Sequence, residues 1–416
     1  MRSFSSRLSD AWAAVRAELR RGRVRTSEPR GVALLIVLMT MAIMTAFAAE
    51  FHYKSYIRLH VAANQRDETI AYFHARAAME VARLVIADTT LFGGLLGQSR
   101  QAGVKNKGIE PWTLACEFAN AFCSGELKLL GRDFLDMREM GGVGVEEGGF
   151  CKCRAKPEDG RTNINRVDDL QGKQQVFGDL YSKMIRFSGK ELLPGEFDDE
   201  TAEMVLNIID WADSDKNATQ VANGRLVESA QPEGGFGKDY PIKNAKFDTL
   251  AEIQQVDDVT PDMYCAIANE LTPYATEKLN VSQADLNTLF QTLCPENVSN
   301  MLEACYTPVE HLTLVGPMAF TPVQTALGCV ESCRTIRQAL YSPGFASLNQ
   351  FYQVFQKLPG RFGPRPALNT SALNARLGTK SKVIRIETVG GSYGTYKALT
   401  SVLDTSVGSY VYWREY

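Results

Sequence analysis

The apolar and polar positions along the chain predict one long helix near its beginning. Residues 32–49 form an apolar run of 18 residues without a charge. At about 1.5 Å per helical residue this run spans about 27 Å, close to a bilayer hydrocarbon core of about 30 Å. Residues 51–89 contain no Gly or Pro. Within them Ala71, Ala75, Ala78, Ala82 and Val85 recur at spacings of four and three, which is typical of one helix face. We therefore expect a single helix over about 32–88, apolar first and amphipathic later.

The rest of the chain changes its pattern twice. Residues 91–150 are rich in Gly, and "GFCKCRAKP" at 149–157 reads as a strand that runs into a turn at Asp159-Gly160. From about 170 to 365 the pattern is that of short helices, with Met204, Val205, Ile208, Ile209 and Trp211 as core positions in one of them. Residues 381–389, 393–403 and 408–415 alternate in the β manner and predict three antiparallel strands. The prediction is an α+β fold.

Charge gives this arrangement an orientation. Residues 1–31 hold eight Arg and three acidic residues, a net charge of +5. Because an excess of Arg marks the cytoplasmic flank of a membrane helix, we expect the amino terminus in the cytoplasm and the body outside the inner membrane. The chain total of −3 leaves −8 for residues 32–416, which does not favour nucleic acid as a partner.

The junction between this leader and the apolar run resembles a prepilin cleavage site. In "EPRGVALLIVLM" a basic stretch ends in Gly31, and the apolar helix begins at Val32. Type IV pilins and type II secretion pseudopilins are cut after such a Gly, and the new amino terminus is then methylated. Those proteins normally carry Glu at mature position five, where this chain has Ile36. A charge in lipid costs about 2.5–3.5 kcal/mol, so a subunit with no neighbour above it needs no such acid.

Later motifs follow the order found in the minor pseudopilin K family of type II secretion systems (general secretion pathway protein K). They are "EPW" at 110–112, "EDGRTNIN" at 158–165, "DWADSD" at 210–215, "LAEIQQ" at 250–255 and "YVYWRE" at 410–415. The resemblance implies a leader at 1–31, a pilin helix at 32–88 and a head made of 89–169 and 366–416. It also implies a large helical domain inserted at 170–365. Apolar–Asn pairs at Asn165, Asn280 and Asn369 precede helices that Asn can cap.

The resemblance implies a function without bond chemistry. A K-type subunit sits at the tip of a periplasmic pseudopilus and helps to initiate and cap the filament that exports folded proteins through the outer-membrane secretin. Its implied partners are minor pseudopilins I and J, the major pseudopilin, the inner-membrane assembly platform and prepilin peptidase, and further the secreted cargo and the secretin. Two alternatives stay open: a tip minor pilin of a type IV pilus, and a periplasmic enzyme on an uncleaved single-span anchor.

Enzyme motifs are few in this sequence. "GGSYG" at 390–394 matches a nucleophile elbow, but that motif needs a following helix and a later His, whereas a strand follows here and the last His is His311. We therefore interpret it as a hairpin turn. His52, His60 and His74 are spaced too widely for a tight metal cluster and are expected at the surface or in packing.

Nine Cys suggest disulfides in an exported domain. Their pairing does not follow from the sequence, and an odd count leaves at least one Cys without a partner inside the chain. Local pairs such as Cys116–Cys123 and Cys329–Cys333 are the simplest guesses.

The loop "DSDKN" predicts a calcium site. Asp213, Asp215 and Asn217 form the Asp-x-Asp-x-Asn start of a Ca²⁺ loop, in which alternate side-chain oxygens turn toward one point. The second half departs from that pattern, so closing ligands would come from Glu233, Asp239 or backbone carbonyls. The opposing interpretation is a helix end with solvated acids.

Overall fold

The computed structural model describes residues 30–87, 110–124, 126–129, 132–136, 145, 148–190, 197–222, 225–232, 241–276, 278–297, 322–338, 344–357 and 368–416. The chain divides into two compact units, 1–66 and 67–416. Helix α1 is Arg30–Ala87, 58 residues long, as the sequence predicts. The leader at 1–29, Cys305, Glu233 and Asp239 lie outside the described residues.

A four-stranded antiparallel sheet forms the head in the second unit. Strands β1 (Glu126–Leu129) and β2 (Arg132–Asp136) pair as a separate hairpin. The head sheet contains β3 (Gly149–Pro157), β10 (Val383–Ser392), β11 (Thr395–Asp404) and β12 (Ser409–Glu415), in the order β12-β11-β10-β3. The three predicted C-terminal strands are therefore confirmed. Tyr393 and Gly394 both have positive φ between β10 and β11, so the "GGSYG" motif is a two-residue hairpin turn.

Side chains alternate between the two faces of the sheet along these strands, and one of the two faces packs against α1. Ile384 and Ile386 of β10 and Leu399 and Leu403 of β11 are buried against the helix face that runs through Ala75, Ala78 and Ala82. All five predicted positions of that face are at most 2% exposed. Small side chains allow a close approach of backbone to backbone, so the head is held by helix-on-sheet packing.

Helix α2 (Pro111–Ser124) is joined to the edge strand β3 by two disulfides. Cys116 pairs with Cys153 and Cys123 pairs with Cys151, with Cα separations of 5.0 and 5.6 Å. The local pair Cys116–Cys123 is therefore wrong, because those two side chains lie two turns apart on one helix and both face β3. Among the described residues Cys329, Cys333 and Cys265 form no disulfide, so the local pair Cys329–Cys333 is wrong as well.

The inserted region contains two hydrophobic cores. The first is built mainly by α3 (Leu170–Ser188), α4 (Asp199–Ala212) and α5 (Pro261–Ile267), and all five predicted core positions of α4 are buried in it. The second is built by α6 (Leu286–Asn297), α7 (Pro322–Gln338), α8 (Leu348–Gln356) and α9 (Thr370–Arg376). The short strand pairs β4 (Thr162–Asn163) with β7 (Leu271–Thr272), β5 (Asn217–Ala222) with β6 (Arg225–Pro232), and β8 (Leu279–Asn280) with β9 (Leu377–Gly378) complete the fold. The predicted α+β fold with a large helical insertion is confirmed.

Asp159 joins the point where the chain leaves the sheet to the point where it returns. Its carboxylate, 1% exposed, accepts hydrogen bonds from the backbone nitrogens of Lys382 and Val383 at 2.6 and 2.9 Å. The same carboxylate accepts from the nitrogen and hydroxyl of Thr276 at 2.9 and 2.6 Å. Since a buried carboxylate needs such donors, this one residue ties the insertion to the head.

Of the three predicted Asn caps only Asn369 has that role: its side chain accepts from Ala372 N in α9. The N-cap of α3 is Asp169, which accepts from Gly172 N. Asn165 instead bonds the backbone of Phe247 in both directions, and so it links distant segments. An Asn side chain that finds backbone groups of another segment is no longer available to its own helix.

Candidate functional site

The first candidate site is the start of α1. Gly31 and Val32 stand in its first turn, and a Cβ added at Gly31 would meet nothing within 4 Å. Val32 is 62% exposed and Ile36 is 55% exposed. No described atom therefore crowds the peptide bond predicted to be cut at its Gly31 end.

Most apolar side chains in the first half of α1, after Ile36 as well, are exposed. Among the described residues α1 is long and apolar enough to cross a membrane by length and composition, and its apolar window has no buried residue. An exposed apolar helix of this length is stable only where lipid or other apolar helices cover it. His52 and His60 are exposed on α1, whereas His74 packs in the head with Nδ1 3.0 Å from Gly391 O.

The second candidate site is the acidic loop after α4. Asp213 is the C-cap residue of α4 and is buried, and Asp215 follows it, half-buried. Asn217 donates its backbone N–H to Asp215 Oδ1 at 2.7 Å, and it is exposed at the start of β5. The structure therefore brings together Asp213 and Asp215 of the predicted set, while Asn217 shapes the turn.

Two residues that the motif does not contain complete this cluster. Lys173 Nζ lies 2.6 Å from Asp213 Oδ2 and 2.5 Å from Glu228 Oε1. It also lies 3.6 Å from Asp215 Oδ2 and 3.4 Å from Thr219 Oγ1. We call Lys173, Asp213, Asp215 and Glu228 the lysine–acid cluster.

A sequence signal for Lys173 exists in α3. Lys173 stands three, four and seven residues before Val176, Phe177 and Leu180, which are all buried in the first core. A lysine on the apolar stripe of a helix needs a buried anionic partner, although nothing local says which one.

Burial and charge act in opposite directions in the cluster. Burial lowers the pKa of Lys173, but the hydrogen bonds and charges of Asp213 and Glu228 outweigh it, so the pKa of this ammonium is raised. Burial raises the pKa of Asp213 to about 6, against the influence of Lys173. Burial also raises the pKa of the neighbouring Asp210 to about 7; that carboxylate accepts from Thr219 N at 3.1 and 3.2 Å.

The cluster does not fit a metal ion as it stands. Nζ of Lys173 occupies the point on which the carboxylates converge, and a second cation there would meet a like charge. Within the described residues no three His, Cys, Asp or Glu side chains are placed to hold a metal together. Calcium binding at this loop stays a prediction, and it would require displacement of the lysine.

Among the comparisons with known proteins, the solved structures give a likeness. No family model matches the sequence, and no curated protein matches it. A chain of the crystal structure of the GspK-GspI-GspJ complex from the enterotoxigenic Escherichia coli type 2 secretion system matches with 11% identity and a TM-score of 0.46. The match covers 86% of this chain and 99% of that chain. Values this low carry no argument about function.

Proposed function

We propose that this protein is a minor pseudopilin of a type II secretion system, placed at the tip of the pseudopilus. There it helps to initiate and cap the filament that exports folded proteins through the outer-membrane secretin. The observation that carries the proposal is α1 itself, a single helix that starts at the Gly31–Val32 junction. Its first part exposes apolar side chains, and its second part is buried under the head sheet.

The two parts of α1 have different physical requirements. An apolar, exposed first part suits lipid before assembly and the helical core of a filament afterwards, since both surroundings remove apolar surface from water. The buried second part fixes the head to that helix. A protein that only needed an anchor would not require one helix to serve both purposes, whereas a filament subunit does.

Ile36 supports a place at the tip. In the resembling families an acid at this position is thought to pair with the amino terminus of a neighbouring subunit. Ile36 presents an apolar side chain there, 55% exposed, that offers no partner to a subunit above. The proposed neighbours are therefore minor pseudopilins I and J beside and below this subunit, followed by the major pseudopilin.

The charge of the flanks supports a location in the inner membrane with the body in the periplasm. The basic residues 1–31 would stay in the cytoplasm until prepilin peptidase removes them, and the acidic body would lie in the periplasm. The inner-membrane assembly platform would take up the mature subunit, and the secretin and cargo would meet the filament tip. No catalytic role is proposed.

Processing tests the membrane half of this proposal. The full chain is co-expressed with a prepilin peptidase, and the amino terminus is determined by mass spectrometry. We expect cleavage between Gly31 and Val32 with N-methylation of Val32. Gly31→Leu should block cleavage, because a bulky side chain would crowd the peptidase, whereas Gly22→Leu in the same leader should be cut normally. Normal processing of Gly31→Leu would contradict cleavage at this junction, and an intact Met1 in the wild type would favour a simple anchored protein.

Assembly tests the filament half. Full-length protein is co-purified in neutral detergent with minor pseudopilins I and J of the same secretion system, and a deletion strain is scored for secretion. We expect a complex with both partners and loss of secretion. Surface pili lost while secretion is retained would identify a type IV pilus subunit instead.

A further inference from the structure

The lysine–acid cluster contains its own cation. Lys173 is 3% exposed at its side chain and Asp213 is 2% exposed, so this ion pair is desolvated on both sides. The ammonium donates to carboxylates from two separate elements, the loop after α4 and strand β6. A buried lysine loses its hydration, and only such paired contacts offset that loss.

A divalent ion would need the same space. Ca²⁺ bound to carboxylate oxygens lies about 2.3–2.6 Å from them. Asp213 Oδ2 and Glu228 Oε1 are 2.6 and 2.5 Å from Nζ of Lys173, so a calcium ion held by both oxygens would fall close to that nitrogen. The two cations are therefore alternatives.

The lysine–acid cluster also contains more negative than positive charges. Three carboxylates surround one ammonium, and Asp213 Oδ1 is buried without a hydrogen-bond partner in the described part of the chain. Carboxylates left without Lys173 would form an oxygen-rich, negatively charged pocket, which is the chemistry that a hard cation selects.

We propose that the Lys173 ammonium is the resident cation of this acid loop, and that it holds α3, the α4 loop and β6 together in place of a divalent metal. The helical domain then keeps its fold when divalent ions are removed. The same geometry predicts that loss of the lysine leaves the carboxylate oxygens of Asp213 and Glu228 as two ligands for a divalent metal. This inference stands independently of the function proposed for the whole chain.

The test measures thermal unfolding of the full chain in neutral detergent, in chelator and in millimolar Ca²⁺. We expect the wild-type melting temperature to be the same in both, and calorimetric titration with CaCl₂ to show no binding. Lys173→Met should melt several degrees lower in chelator, and Ca²⁺ should raise its melting temperature, because a ligand that binds only the folded state stabilises it. Lys173→Met combined with Asp213→Asn should lose that response.

Lys246→Met is the matched control. Lys246 pairs with Asp168 at 3.0 Å on the surface, with the two side chains 59% and 65% exposed, so its loss should change little and create no response to Ca²⁺. A wild-type melting temperature that rises with Ca²⁺, with the rise abolished by Asp213→Asn, would overturn the proposal in favour of calcium. Equal melting of Lys173→Met and Lys246→Met in chelator would also overturn it. If Lys173→Met does not fold, the wild-type titration and the Asp213→Asn comparison decide alone.

Discussion

Replacing Gly390 by Ala tests how closely the sheet and α1 pack in the head. A Cβ at Gly390 would collide with the backbone oxygen of Ala71 and the backbone nitrogen of Ala75, and it would lie 3.0 Å from His74 Cβ. Gly390 has no positive φ, so the added methyl group brings no conformational strain of its own. The perturbation is therefore purely steric.

The loss of stability depends on which atoms the added Cβ would contact. Backbone atoms of α1 cannot change rotamer, so the helix or strand β10 must move. Overpacking of a core costs typically about 1–3 kcal/mol, and an obstacle made of backbone places Gly390→Ala at the upper end, about 3 kcal/mol. At about 2 °C per kcal/mol for a large folded unit, the melting temperature should fall by roughly 6 °C.

Far-UV circular dichroism of the full chain in neutral detergent measures the melting temperature, and hydrogen exchange reports where protection is lost. We expect faster exchange in α1 from residue 71 to 82 and in β10. Two glycines serve as controls: at Gly378 the nearest atom to an added Cβ is Lys278 Cβ at 3.5 Å, and at Gly328 in α7 nothing lies within 4 Å. Gly378→Ala should be near neutral, and Gly328→Ala should stabilise by up to about 1 kcal/mol.

If Gly390→Ala melts within about 1 °C of Gly378→Ala, a difference well under 1 kcal/mol, the close contact between α1 and the sheet is wrong. Loss of protection confined to the inserted helical region would contradict it as well, since the three atoms nearest to an added Cβ at Gly390 all belong to α1.

The remaining predictions concern a crosslink, a buried acid and the tip. Replacing both Cys116 and Cys153 by Ala should lower the free energy of unfolding by about 2–3 kcal/mol, because the neighbouring disulfide already closes most of their 37-residue separation. Denaturant unfolding without reductant checks this, and unchanged stability would contradict the pairing. Asp210, with its pKa raised to about 7 by burial, keeps a proton that the unfolded chain loses near pH 4. Stability should therefore fall as pH rises from about 4 to 7, by up to about 1.4 kcal/mol per pH unit, and Asp210→Asn should reduce that slope in melting curves; an unaltered slope would assign it to another group. Ile36→Glu should not improve secretion by a complemented deletion strain, and a variant that secretes better than wild type would argue against the tip.

Local periodicity was enough to predict α1 and the last three strands of this protein. The length of α1 and its buried face follow from apolar residues spaced by three and four, and the last three strands follow from alternation between Gly and Asp turns. These patterns need no knowledge of distant residues, because each element shows its own period in its own sequence.

Contacts between distant segments were decided only by the tertiary structure. The sequence contained all nine Cys, but the choice of Cys153 as the partner of Cys116 depends on α2 lying along β3. It likewise contained the acidic loop, but its cation is Lys173, forty residues earlier, which arrives through the packing of α3 against α4. A sequence motif such as Asp-x-Asp-x-Asn predicts which side-chain oxygens converge. The cation between those oxygens depends on which other element packs against them in the folded protein, here α3 with Lys173.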